Sequence, residues 1–245
     1  ALAQSFDAHL VGLFGLQRLD VPIAPDVAPM WLNSMLDERR AAAERVAREF
    51  HDRVTQARYT AKSEWLANLT DGFAALVRQG SYADLVIAGQ PDPDGDGVPA
   101  SFSRELVMSI ARPVLYVPRA GRFERCGQRV LVAWNGSRQA ARALQDAMPF
   151  LEHADATEIV TFDGDGSLDP ELASYAGRHG AKARLAAQRA AGPDVGAAIL
   201  SRAAENAADA VVMGAYSHSR LRELVLGGAT RTVFESMTVP TLMSH

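Results

Sequence analysis

Asp84-Leu-Val-Ile-Ala-Gly89 and Asp209-Ala-Val-Val-Met-Gly214 are two aspartate-led apolar runs, each closed by glycine, with a separation of 125 positions (89 to 214). Neither run alternates apolar with polar residues. Continuous apolar character over so few positions predicts strands covered on both faces, as in a parallel sheet flanked by helices. A second pair of runs follows in the same order: Pro113-Val-Leu-Tyr-Val117 and Pro240-Thr-Leu-Met-Ser244, separated by 127 (113 to 240). Matching order and near-equal spacing predict an internal repeat, two copies of one unit within a chain of 245 residues.

Outward from these runs, further strands are predicted at His9–Phe14, Arg129–Trp134 and Thr157–Phe162, with the repeated runs read as 83–88, 113–117, 210–214 and 240–243. Helices are predicted between them. Trp31, Met35, Ala42, Val46, Phe50 and Val54 recur at helical spacing, and Leu144, Met148 and Leu151 do so after Ser137. Val195, Ile199 and Ala203 mark another helix, and Val233 with Met237 a fourth. Alternating strands and helices predict an α/β fold with open parallel sheets and right-handed crossovers. The polar, glycine-containing stretch 118–128 reads as a linker, giving domains 1–120 and 129–245. The strong strand Arg129–Trp134 has no counterpart in the first half, so a preceding segment is expected to supply that strand, whose absence would leave backbone groups unpaired.

Composition narrows the function. Apolar residues make up 48% and charged residues 22%, which is ordinary globular composition. A formal net charge of −4 argues against nucleic acid held by bulk electrostatics. No apolar run approaches the roughly 18 residues of a membrane span, and the N-terminus carries no basic-then-apolar leader. A cytoplasmic location is therefore expected, with no membrane partner. Cys126 is the single cysteine, which excludes an intrachain disulfide and a cysteine-built zinc site.

The chemistry-bearing stretch is Gly214-Ala-Tyr-Ser217, with Gly227-Gly228-Ala-Thr230 opening a helix beyond it. Glycine lets backbone approach a ligand, and a helix N-terminus offers free N–H groups to phosphate. The same glycines also serve simply to end a strand and begin a helix. Asp92, Asp94, Asp96 and Gly97 open like a calcium loop, yet Ser103 stands at the twelfth position and Glu105 comes two residues late, so no metal is expected there. Asp163 and Asp165 read as a polar turn, and His218 as an exposed loop residue. Ser137 lacks the glycine pattern of a hydrolase nucleophile and reads as a helix cap, with Asn135 as the alternative cap.

The second half resembles the universal stress protein family, and the first half does so more faintly. Nucleotide-binding members carry glycine, two residues, glycine, nine residues, glycine, then serine or threonine. Here Gly214 and Gly227 keep the first and third positions, while Ser217 and Gly228 replace the second glycine and the hydroxyl residue. Asn135-Gly136-Ser137 stands where the family's first strand often ends in aspartate-glycine-serine, and Thr238-Val-Pro-Thr-Leu-Met-Ser244 resembles its proline-led last strand.

The resemblance implies two tandem flavodoxin- or Rossmann-like domains, each an open five-stranded parallel sheet with helices on both faces. It implies an adenine nucleotide, ATP or AMP, at the carboxyl ends of the second half's strands. Gly214, Ser217, Gly227, Gly228 and Ala229 would line the phosphates, with the Thr230 hydroxyl a substitute for the lost one. Asn135 would face ribose or base, and Thr161 would offer backbone contacts to adenine. Arg220, Arg222 and Arg231 either offset phosphate charge or form a solvated helix face. The role implied is stress response or regulation rather than turnover, at most weak ATP hydrolysis, in an internal pseudo-dimer that assembles further into a homodimer. A different class stays open: a nucleotide-free interaction protein in which Ser217, Gly228 and the acidic loop mark two decayed sites.

Overall fold

The computed structural model describes residues 1–15, 28–68, 71–91, 100–162, 170–188, 194–216 and 228–245, side chains of 28–32 and 100 excepted. In chain order the elements are α1 (Leu2–Ser5), β1 (Leu10–Gly15), α2 (Ala28–Gln56), a 3-10 turn (Thr60–Lys62), β2 (Ser63–Asn68), α3 (Gly72–Gly80), β3 (Val86–Gly89) and α4 (Ala100–Ser109). They continue as β4 (Val114–Val117), β5 (Arg129–Trp134), α5 (Arg138–Leu151), β6 (Ala156–Phe162), α6 (Pro170–Arg178), β7 (Ala183–Gln188), α7 (Val195–Glu205), β8 (Ala210–Gly214), α8 (Gly228–Ser236) and β9 (Thr241–Ser244). The α/β class holds. The chain divides into two compact units, 1–82 and 83–245. That division differs from the repeat boundary at the linker, because β3 and β4 share a sheet with the second half.

In the first unit, β1 and β2 pair in parallel from Leu10 opposite Ser63 to Gly15 opposite Asn68. Gly12 has no side chain because Phe50 and Trp65 occupy the space: a Cβ there would lie 2.7 Å from each ring. Their ring centroids stack 5.2 Å apart over the strand. The expected stripe of α2 is corrected in part. Val54 is buried, but Val46 is exposed and Ala43 takes its place against the core. The helix turns about 100° per residue, so Ala43 lies within about 20° of the buried Val54, whereas Val46 is about 80° away from it.

The second unit holds a seven-stranded sheet in the order β3-β4-β9-β8-β5-β6-β7. All neighbours are parallel except β4 and β9, which run antiparallel from Val114 opposite Met243 to Tyr116 opposite Thr241. The second half's own strands keep the order expected of a doubly wound unit, with β5 central. Direction reverses after β7, so right-handed crossovers place α5 and α6 on one face and α7 and α8 on the other. Val114, Tyr116, Val160, Val211 and Met243 have no exposed surface, so the core runs unbroken across the antiparallel junction. The Tyr116 hydroxyl donates to the Ser103 carbonyl at 2.7 Å, and its ring meets Phe234 edge-on at 4.7 Å, tying α4 and α8 to that junction.

Two strands had escaped the reading of the sequence. β2 (SEWLAN) and β7 (ARLAAQ) carry charges and alanines, and both share the same half-buried burial pattern. Each has one strand neighbour among the described residues, β1 and β6 respectively. An edge strand packs on fewer sides, so it needs no continuous apolar run.

Candidate functional site

Parallel β5, β6 and β8 end together, at Trp134, Phe162 and Gly214. The chain leaves β5 toward β6 on one side, and β8 lies on the other. This is the topological switch point, where an open α/β sheet forms a crevice outside its carboxyl ends.

Beyond β5 the chain turns sharply. Gly136 adopts φ of +69° with open space around it, so the turn itself, not crowding, calls for glycine. The Asn135 side-chain oxygen accepts the Ser137 N–H at 3.1 Å, and the Ser137 hydroxyl accepts the Ala140 N–H at 3.1 Å. Ser137 is thus the cap of α5, as expected, and Asn135 shapes the turn before it.

Gly214, at the end of β8, has a different reason to be glycine. A Cβ there would lie 2.6 Å from the Ala140 nitrogen and 2.6 Å from the Gln139 carbonyl carbon. The first turn of α5 therefore rests directly on the strand end. Past it, the Ala215 N–H donates to the Ser244 carbonyl at 2.8 Å, and the His245 ring Nδ1 lies 3.0 Å from the Ala215 oxygen. Tyr216 takes the left-handed conformation at φ of +52°, an uncommon position for a bulky side chain. Its N–H donates to the Thr230 hydroxyl at 3.2 Å.

Thr230 is buried at 3% exposure, so its hydroxyl holds the Gly214 loop rather than standing open to solvent. Gly228 and Ala229 are half-buried and form the first turn of α8. Behind them Gly196 of α7 packs so closely that a Cβ would meet the Ala229 carbonyl oxygen at 2.7 Å. Thr161 is half-buried in β6, between Trp134 and Ala187. Asn135, Thr161, Gly214, Gly228, Ala229 and Thr230 thus gather at one edge of the sheet. Ser217 and Gly227 lie outside the described residues, as do His218, Arg220, Arg222, Asp92, Asp94, Asp96, Asp163 and Asp165. Arg231 pairs with Glu235 at 2.7 Å on the exposed face of α8.

Three neighbours of this edge were not anticipated. The Arg104 guanidinium of α4 sits 5.5 Å above the Tyr216 ring, so the first half reaches the second half's loop. Burial raises the Tyr216 phenol above its ordinary range, and Arg104 partly opposes that. Tyr216 and His245 carried no motif signal, and Arg104 is far away in sequence; only the antiparallel β4–β9 pairing brings it near. Ser103, at the twelfth position of the calcium-like run, is a 1%-exposed helix residue in the core. Among the described residues no three His, Cys, Asp or Glu side chains cluster as a metal site, and no helix is long and apolar enough to cross a membrane.

Comparison with known proteins agrees with this geometry. The universal stress protein family model matches residues 127–245. The universal stress protein Slr1230 of Synechocystis is 29% identical over 142 residues, covering 56% of this chain and 48% of that protein. The chain thus spans about half the length of that curated relative. A universal stress protein from Archaeoglobus fulgidus superposes with a TM-score of 0.70 at 19% identity, over 95% of this chain and 87% of the other. A functionally unknown protein from Pseudomonas aeruginosa PAO1 superposes at 0.57 with 17% identity, over 99% and 84%. At such identities these structures speak for the fold alone. The family match and the doubly wound part of the sheet coincide over residues 127–245, so the second half is similar to a universal stress protein domain.

Proposed function

We propose that this stress-response protein binds an adenine nucleotide, ATP or AMP, at the switch point of its second half and acts by changing conformation. The observation that carries the reading is the convergence of Asn135, Thr161, Gly214 and the first turn of α8 at the carboxyl ends of β5, β6 and β8. Free N–H groups at the start of α8 suit phosphate, and the Asn135 amide suits ribose or base. Ser217 and Gly227 complete the loop by position in the sequence. The halves act as an internal pseudo-dimer, with homodimer assembly beyond it, in the cytoplasm.

A second reading, a nucleotide-free interaction protein, draws on two observations. Gly214 makes room for α5 rather than for a ligand, and Thr230 is buried in the loop. The test that separates them is direct. Freshly purified protein is denatured, released nucleotide is identified by chromatography, and ATP, ADP and AMP are titrated by calorimetry. Stoichiometric adenine nucleotide, with tighter binding in the Ser217→Gly, Gly228→Ser double variant, is the expected result. No nucleotide released and no heat of binding would favour the interaction protein.

A further inference from the structure

The opposite edge of the same sheet holds a cavity of about 310 Å³ at the amino ends of β5, β6 and β7. Polar and charged residues outnumber apolar ones among those lining it, and the gathered charges are unequal. Glu158 is almost wholly buried on β6 and is held by Arg202 of α7 at 2.7 Å and Arg184 of β7 at 3.0 Å, with Asn206 also donating to it. That carboxylate is thus doubly compensated, while Arg202 also meets the exposed Glu205 at 3.4 Å. Arg129 gives its guanidinium to a neutral acceptor, the Asn206 carbonyl, at 2.9 and 3.1 Å.

The Lys182 side chain, on the rim, has no ion-pair or hydrogen-bond partner among the described residues. Among the described residues that line the cavity, Asp155 is the carboxylate left to oppose these cations. Of the charged residues lining the cavity, Arg129, Lys182 and Arg184 therefore face Asp155 and Glu158, a surplus of one positive charge. Thr157 lines the cavity as well. It is 97% buried by its 3% exposure, and its hydroxyl has no hydrogen-bond partner among the described residues. Alternation along β6 puts this hydroxyl on the other face of the sheet from Glu158 and Arg184, so the charged face is the one that bears on a ligand.

We propose that this cavity binds a small dianionic oxyanion of the phosphate or phosphate-monoester class. Lys182 and Arg129 supply the rim charge, and Glu158 acts as a positioning residue that fixes Arg184 and Arg202. The volume lies at the lower end of small-ligand pockets, which suits a compact anion. The site is separate from the Asn135 and Gly214 edge, because parallel strands carry the two at opposite ends.

The experiment is a backbone amide NMR titration of the full chain with sodium phosphate, at ionic strength held constant with sodium chloride. Saturable shifts are expected at Asp155, Ala156 and Lys182. Charge reversal in Lys182→Glu is expected to raise the half-saturation concentration about tenfold or more, and Thr157→Val, on the other face of the sheet, to leave it unchanged. Lys182 is exposed, so its variant keeps the fold, and the unchanged remainder of the spectrum verifies that. Linear shifts that match chloride, saturation unaffected by Lys182→Glu, or shifts confined to Gly136, Gly214 and Gly228 would overturn the proposal. Tighter binding of succinate than of phosphate would overturn the phosphate assignment.

Discussion

At the scale of single residues, glycine and cysteine give the sharpest tests. Gly214 sits where backbone of α5 presses against β8, and backbone cannot move aside as a side-chain end can. Gly214→Ala is expected to destabilise the chain by about 1–3 kcal/mol, the usual cost of overpacking, read from the midpoint of urea unfolding. An unchanged midpoint would show that α5 shifts freely. Cys126 lies under Leu115, Val130 and Phe150, and burial pushes its thiol from the ordinary 9.0 up to about 11, with Asp209 adding to the effect. The neutral thiol is favoured in the folded state, so the thiol's contribution to stability is lost as pH rises above 9 toward 11. Alkylation of the native protein should follow a midpoint near 11. A midpoint near 9 would mean that the thiol is open to water.

At the scale of elements, the repeated aspartate explains how a strand is seated. The Asp209 carboxylate accepts the N–H groups of Gly127, Gln128 and Arg129 at 3.0, 3.1 and 3.0 Å, holding the end of the linker at the entry to β5. Among the described residues, Asp84, its counterpart in the repeat, has no such partner, and β3 has a strand neighbour only at β4. Asp209→Ala is expected to cost about 1.5–3 kcal/mol, the worth of charge-assisted hydrogen bonds, measured by thermal or urea unfolding. Asp84→Ala serves as the control with little effect. Equal losses in both would separate the aspartates' stabilising role from the β5 entry. The repeat was legible in the sequence through these two runs. The grip on 127–129 was not, because it joins residues about eighty positions apart through backbone groups that every sequence possesses.

At the scale of the whole chain, the antiparallel β4–β9 pair merges strands of both halves into one sheet. A fragment of residues 129–245 would expose the β9 edge, with Leu242 and Met243 at most 2% exposed in the intact chain. An unpaired apolar edge recruits another strand. The fragment is therefore expected to dimerise through β9, while the full chain does not use that edge. Sedimentation of the two species checks this, and a monomeric fragment would count against it.

The sequence by itself determined the α/β class, the central strands and the cap at Ser137, because continuous apolar runs and capping chemistry are local and need no partner to be read. It also marked Asn135, Gly214 and Gly228 as residues of one edge, through their resemblance to a known spacing. Tertiary structure decided the rest. It set β2 and β7 as edge strands, whose half-buried faces leave no strong periodic signal. It turned Gly214 into a packing residue, put Arg104 over Tyr216, and gathered Glu158, Lys182 and Thr157 around a cavity. Those outcomes depend on which strands lie side by side, and strand order is fixed by burial and crossover handedness across the chain rather than by any short stretch of it.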